Sequence, residues 1–226
     1  MCGGVANGIT GARGQDDGRW QPVAQSMSES ARWLIPGLWL IWGLYWWLAS
    51  YGVKRAVRRE SVLSRAAHFV PLAVAAVLLG LDAVPGWLGR RWIAPSWTLF
   101  ATGAALVLVG LLFSVWARIV LGGNWSGTVT LKQHHEIVRT GPYRWIRHPI
   151  YTGLIVAFLG SAVARGEWRG VLAVVIVLAA LWRKWRLEER WLAESFGAAY
   201  TDYRRGTWAL IPLVLWHHPT RHSSET

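Results

Sequence analysis

The sequence predicts an all-α, polytopic membrane protein of about five transmembrane helices, the last two forming a helical hairpin. Three observations predict it. Five apolar runs stand apart along the 226 residues, and arginine-rich clusters separate them. Apolar residues make up 53% of the chain against 16% charged, with 18 tryptophans. Blocks of this kind, punctuated by cations and aromatics, are how a bilayer solute is written.

Residues 1–30 read as a disordered leader, because the stretch 3–25 is rich in Gly, Asp and Arg and has no apolar core of signal-peptide length. Cys2 lies there without a disulfide or metal-spaced partner, and Met27, followed by Ser-Glu-Ser, reads as an alternative start. Residues 31–119 hold three spans at 33–50, 66–81 and 97–116, each near the length that crosses a hydrocarbon core. Pro36 and Pro71 fall near span starts, where a first turn or a kink tolerates them. His68 reads as a structural histidine, and Asp82, before Pro85-Gly86, as a solvated cap.

Residues 120–213 contain two shorter runs, 150–164 and 170–182, flanking Arg165-Gly166-Glu167-Trp168-Arg169. Gly166 is a turn signal, so the runs form a hairpin with a polar tip, and the second helix continues into water. Residues 214–226 read as a flexible tail.

Basic residues fix the expected orientation. Loop 51–65 carries five, loop 117–149 five and the segment from Arg183 onward seven, against three before the first span, two at Arg90-Arg91 and two at the hairpin tip. Positive-inside bias then puts the N-terminus out and the C-terminus in the cytoplasm, most simply in a bacterial inner membrane. The net charge of +12 lies in snorkelling side chains beside an anionic leaflet rather than on a basic face, so no nucleic acid is expected. No metal is expected either. Both polar segments able to do chemistry, 117–149 and 183–212, share the cytosolic side.

The first runs Gly141-Pro142-Tyr143-Arg144-Trp145-Ile146-Arg147-His148-Pro149-Ile150-Tyr151-Thr152-Gly153. Gly141-Pro142 is a turn, and Pro149 holds His148 extended while opening a helix. Tyr151 and Gly153 then lie in a first turn, where free N–H groups favour an anion. Cations, phenols and a close-approach glycine suit a cofactor with a carboxylate, a ribose and an adenine. The second segment carries Glu188-Glu189, Phe196-Gly197, Tyr200 and Tyr203. Glu188, Leu192 and Phe196 recur at i, i+4 and i+8, aiming a carboxylate along an apolar face. It needs a partner there: an Arg, a His or a ligand ammonium.

Taken in order over about residues 120–213, these pieces resemble the isoprenylcysteine carboxyl methyltransferase family, and Asn124-Trp-Ser resembles its bacterial members. The resemblance implies a helical membrane enzyme that folds a cytosolic cap over S-adenosylmethionine while a lipophilic or prenylated substrate enters from the bilayer. It implies that His148, Tyr151 and Gly153 line the cofactor site with Tyr143 and Arg147 beside them, and that Glu188 or Glu189 meets the cofactor's amino or ribose groups. Arg144, with Arg204 or Arg205, would orient a substrate carboxylate as the catalytic set. Eukaryotic members commonly carry a third basic residue and Val-Pro where this chain has Gly206-Thr207-Trp208, which leaves room for a lipid nucleophile other than a carboxylate.

Two other readings compete. Membrane reductases of the sterol type share the Arg-His-Pro-x-Tyr connector but use NADPH, and their post-hairpin helix carries a Cys absent here. A non-catalytic membrane scaffold is the other.

Overall fold

The computed structural model describes residues 29–51, 56–59, 61–81, 84–122, 130–132 and 137–210. Helix limits follow local chemistry. Helix α1 spans Glu29–Leu48, α2 Val62–Gly80 and α3 Trp97–Leu121. Ser61 and Ser96 precede α2 and α3, and each Oγ accepts an otherwise orphaned N–H, from Ser64 at 3.2 Å and Leu99 at 3.1 Å. Pro149 opens α4 (Pro149–Arg165), since its missing N–H costs nothing at a first helical position. Gly166, at φ 64°, closes it. The chain reverses into α5 (Trp168–Phe196), and Gly197, at φ 50°, separates α5 from the short α6 (Ala198–Arg205).

Several limits differ from expectation. Helix α1 starts inside the expected leader, and α1 and α2 begin well before their apolar runs, so Pro36 and Pro71 sit in helix interiors. Apolar pattern marks what meets lipid, whereas the hydrogen-bonded helix extends into polar flanks. Helix α3 continues five residues past 116 because Arg118, expected in a loop, is buried with both terminal nitrogens bonded. Its guanidinium donates to the carbonyls of Gly122 (2.8 Å) and Ala49 (2.7 Å), pinning the end of α3 to that of α1. The hairpin tip is closed rather than solvated. Arg169 donates to Glu167 at 2.6 Å and to the Leu81 carbonyl at 2.8 Å, while Trp92 and Trp168 exchange backbone bonds with Gly166 and Arg90. A buried guanidinium requires such partners.

The fold is also not purely α. Ala56–Arg59 (β1) and Thr130–Lys132 (β2) pair antiparallel, with Arg58 opposite Leu131 and a register irregularity after Ala56. Pairing satisfies backbone polar groups of these two segments. The ribbon brings the 51–65 and 117–149 loops to one end of the helices. The Arg91–Glu167 bridge holds the other end.

Helix α4 is the centre, buried along most of its length. It packs antiparallel on α3 at backbone distance: a Cβ on Gly110 would lie 2.5 Å from the Gly153 carbonyl, and one on Gly103 2.6 Å from that of Gly160. Helix α1 leans on both through Trp39 Nε1 to Ser161 (3.1 Å) and Trp42 Nε1 to Ser114 (2.8 Å). Helix α2 packs along α5. The outward faces are apolar too, with Leu40, Ile41, Leu63, Val70, Leu112 and Val175 exposed. Helices α2 and α3 are long and apolar enough to cross a membrane, while Trp33–Leu48 of α1 and α4 are apolar but shorter. His68 is fully buried with its ring on Phe69. Asp82, Cys2, Met27 and the tail lie outside the described residues.

The glycine contact yields a first expected result. Gly110→Ala forces α3 from α4 and costs about 1–3 kcal/mol by overpacking. Thermal melts in detergent check it; an unchanged midpoint contradicts the packing.

Candidate functional site

Gly141, at φ 54°, turns the chain into the 3-10 turn Gly141–Arg144. The next residues form a short parallel pairing with the segment after α6. Trp208 N–H donates to the Trp145 carbonyl (2.8 Å), Arg147 N–H to that of Trp208 (2.8 Å), and His148 N–H to that of Ala209 (3.1 Å). The chain beyond α6 therefore fixes the Arg147-His148 bend, which the residues 141–153 alone would leave loose.

Arg147 is a clamp. Its Nε donates to Glu189 at 2.9 Å, and Nη1 donates to the carbonyls of Arg204 (3.1 Å) and Thr207. The side chain is almost wholly buried. One planar fork thus joins the connector, α5 and the end of α6.

His148 sits between the two acids. Its Nε2 lies 3.4 Å from a Glu189 oxygen, and its Nδ1 lies 3.6 Å from a Glu188 oxygen. The ring stacks on Tyr151, with centroids 5.4 Å apart and planes 8° off parallel, and beyond that on Trp185. Tyr151 Oη donates to Glu188 at 2.6 Å. The expected partner for Glu188 is therefore His148 together with Tyr151. Burial alone would raise the Glu189 carboxyl. Hydrogen bonds and charge from His148 and Arg147 outweigh it and hold the group down at about 2.

That shift has a sign. The folded value lies below the unfolded one, so Glu189 contributes stability fully above the ordinary carboxylate range and loses it as pH falls toward 2. The contribution is on the order of 3 kcal/mol. Melting midpoints should fall between pH 5 and 3 more steeply in the wild type than in Glu189→Gln; parallel curves contradict the assignment.

Lys184, Trp185 and Thr207 belong to the cluster and were not read from the sequence. Lys184 is buried with Nζ 5.5 Å from the Tyr151 ring centre. Lys184 and Trp185 precede Glu188 and Glu189 by four residues, so the helical repeat put them on the same faces. Thr207 donates to the Tyr203 carbonyl at 2.6 Å and, like the Arg147 carbonyl contacts, depends on the chain folding back. Tyr143 is buried beneath the connector, and its carbonyl accepts from Tyr203 Oη at 2.7 Å.

Other expected residues stand elsewhere. Gly153 uses its missing side chain to admit α3, its absent Cβ falling 2.5 Å from the Gly110 carbonyl. Arg144 is exposed over the Trp145 ring, and Arg204 and Arg205 are exposed on α6, Arg205 pairing with Asp202 at 3.3 Å. These three form an outer rim, not part of the buried cluster. Helix position sends their side chains outward.

Known proteins are similar to parts of this chain. A family model described as phospholipid methyltransferase matches residues 98–199. The protein-S-isoprenylcysteine O-methyltransferase of Saccharomyces cerevisiae is 31% identical over 118 residues, covering 50% of this chain and 48% of that one. This chain is thus similar to members of the isoprenylcysteine carboxyl methyltransferase family. An Arabidopsis thaliana member, protein-S-isoprenylcysteine O-methyltransferase B, is 25% identical over 173 residues, covering 74% of this chain and 84% of its own. The chain thus spans about half the length of the yeast relative and most of the plant one. A solved structure of the eukaryotic intramembrane Ras methyltransferase in this family aligns with a TM-score of 0.44 at 23% identity, covering 70% of this chain and 55% of that one. Steroid 5-alpha-reductase DET2 of Solanum lycopersicum also matches, at 24% over 150 residues, covering 62% of this chain and 57% of its own.

Proposed function

We propose that the chain is an integral membrane methyltransferase that uses S-adenosylmethionine to methylate a lipophilic, isoprenoid-like or lipid acceptor, with a carboxylate as the first acceptor group to test. The observation that carries this reading is His148 held between Glu188 and Glu189, which joins the connector and the post-hairpin helix into one charged, aromatic-walled site. The names of the yeast and plant relatives support the reaction class, and the phospholipid methyltransferase match supports a lipid acceptor.

The site's chemistry fits the cofactor. Glu188 is the more open acid, its side chain 22% exposed against 11% for Glu189, so it has acceptor capacity left for an ammonium or a ribose hydroxyl. Trp185 offers a ring face beside which a sulfonium is favourable. Bound there, S-adenosylmethionine supplies an electrophilic methyl group whose in-line displacement releases a neutral thioether.

The protein's share is alignment and exclusion of water. Arg147 fixes the connector against α5 and α6, so that the acids and rings keep their places. His148 and Tyr151 orient the two carboxylates. A carboxylate acceptor needs no base; an amine acceptor must lose a proton, and His148 is the nearest group to take it. Arg144, Arg204 and Arg205 on the rim are cations that could steer an acidic acceptor.

In this reading all five long helices cross the bilayer, with the N-terminus out, the C-terminus cytoplasmic and residues 183–210 forming the cap, in a bacterial inner membrane. The same-end pairing of β1 with β2 and the bias of basic residues toward that end support it.

The match to a steroid reductase favours one second reading, an NADPH-dependent reductase. Thermal titration of purified protein separates the two. S-adenosylhomocysteine should raise the melting midpoint and NADPH should not; the reverse result replaces the methyltransferase with the reductase. Mass spectrometry of membrane lipids labelled from methyl-deuterated S-adenosylmethionine then identifies the acceptor.

A further inference from the structure

Among the described residues, a buried tyrosine leaves its hydroxyl unbonded. Tyr200, on the inner face of α6, is 2% exposed, and its hydroxyl makes no hydrogen bond to any described residue. Its neighbour one turn on contrasts with it: Tyr203 spends its hydroxyl on the Tyr143 carbonyl at 2.7 Å. Burying a phenol without a partner costs about 1–3 kcal/mol, so such a group calls for an explanation.

The surroundings say which partner fits. Arg139 donates to the carbonyl of Ala199 at 2.8 Å, and Arg147 to that of Arg204, so the turn carrying Tyr200 is held on both sides against the connector. Burial first, then the charge of Glu189, push the phenol upward from its ordinary value, with Arg147 opposing. The phenol is thus a neutral donor in the field of a carboxylate that stays ionised. An unbonded donor in the field of a carboxylate complements a group that donates and accepts through adjacent oxygens. A ribose diol does this: one hydroxyl donates a hydrogen bond to Glu189 and the other accepts one from Tyr200. A ligand carboxylate would instead meet the charge of Glu189.

We propose that Tyr200 Oη is a ligand-binding group of the site, donating a hydrogen bond to a ribose hydroxyl of the methyl donor. The assignment rests on the methyltransferase reading above and adds to it a residue and the atom it contacts.

The test uses the full chain in detergent, with S-adenosylhomocysteine as probe and Tyr200→Phe and Tyr203→Phe as variants. Tyr200→Phe should melt at or above the wild-type midpoint without ligand, yet bind the probe about tenfold more weakly. Tyr203→Phe should melt lower, since it loses a bond made within the protein. An analogue lacking the ribose 2′- and 3′-hydroxyls should bind the wild type more weakly than the probe, while Tyr200→Phe should show a much smaller difference. Unchanged probe affinity in Tyr200→Phe overturns the proposal, as does a ligand-free destabilisation equal to that of Tyr203→Phe. Additive losses from Tyr200→Phe and the deoxy analogue overturn the ribose assignment. Failure of the wild type itself to bind the probe overturns the methyltransferase reading and this inference with it, a result distinct from a variant that behaves as wild type.

Discussion

Purified His148→Ala protein is expected to insert and fold yet to bind S-adenosylhomocysteine about a hundredfold more weakly than the wild type, a loss of roughly 2.7 kcal/mol. The imidazole touches both acids and stacks on Tyr151. Removing it frees Glu188 and Glu189 to repel one another and takes away one wall of the site. The loss falls mainly on the ligand, because the backbone of residue 148 stays tied to Ala209 and Thr152 whatever its side chain. Glu188→Gln keeps the shape and an acceptor for Tyr151 while removing one charge, so it should lose affinity with little change in melting. Titration calorimetry in detergent measures both. Wild-type affinity in His148→Ala would refute the placement of the cofactor.

Arg147→Ala should act on the fold first. The guanidinium is the shared partner of the Glu189 carboxylate and of the carbonyls of Arg204 and Thr207. Taking it away leaves a buried acid with only His148 and leaves two acceptors unmatched, at a cost of about 3–5 kcal/mol. For a chain of this size that corresponds to a fall of roughly 10 °C in the melting midpoint. Arg147→Lys should recover little of it, because a point charge cannot reproduce the planar fork. Limited proteolysis between Gly197 and Gly206 should quicken in the same variants, since α6 and the 207–209 segment are what the clamp holds down. A midpoint within 2 °C of wild type, with unchanged cleavage, would mean that backbone pairing at 145–148 secures the cap alone.

Much of this architecture was readable in advance, for identifiable reasons. The positions of the apolar runs, the turn at Gly166 and the opening of α4 at Pro149 are local properties, set by solvation and by the backbone limits of glycine and proline. Glu188, a carboxylate on an apolar face, needed a partner, and the structure supplies His148 and Tyr151. Helix ends were less readable. Arg118 reads as a loop residue until the carbonyl of Ala49, 69 positions earlier, is there to receive it. The hairpin tip reads as solvated until Leu81 and Arg91 arrive from another loop. The ribbon at 56–59 and 130–132 joins two connectors that carry no strong strand pattern, so only their proximity reveals it.

The sequence by itself determined the helical class, the hairpin and the identity of the acids and bases at the candidate site, because each depends on residues a few positions apart. Tertiary structure alone decided the rest. It assigned Gly153 to helix packing, sent Arg144, Arg204 and Arg205 to the rim, brought in Lys184 and Thr207, and left the Tyr200 hydroxyl unbonded among the described residues. A side chain's use depends on what lies opposite it, and across a helix bundle that neighbour comes from a part of the chain whose spacing in sequence carries no trace of the contact.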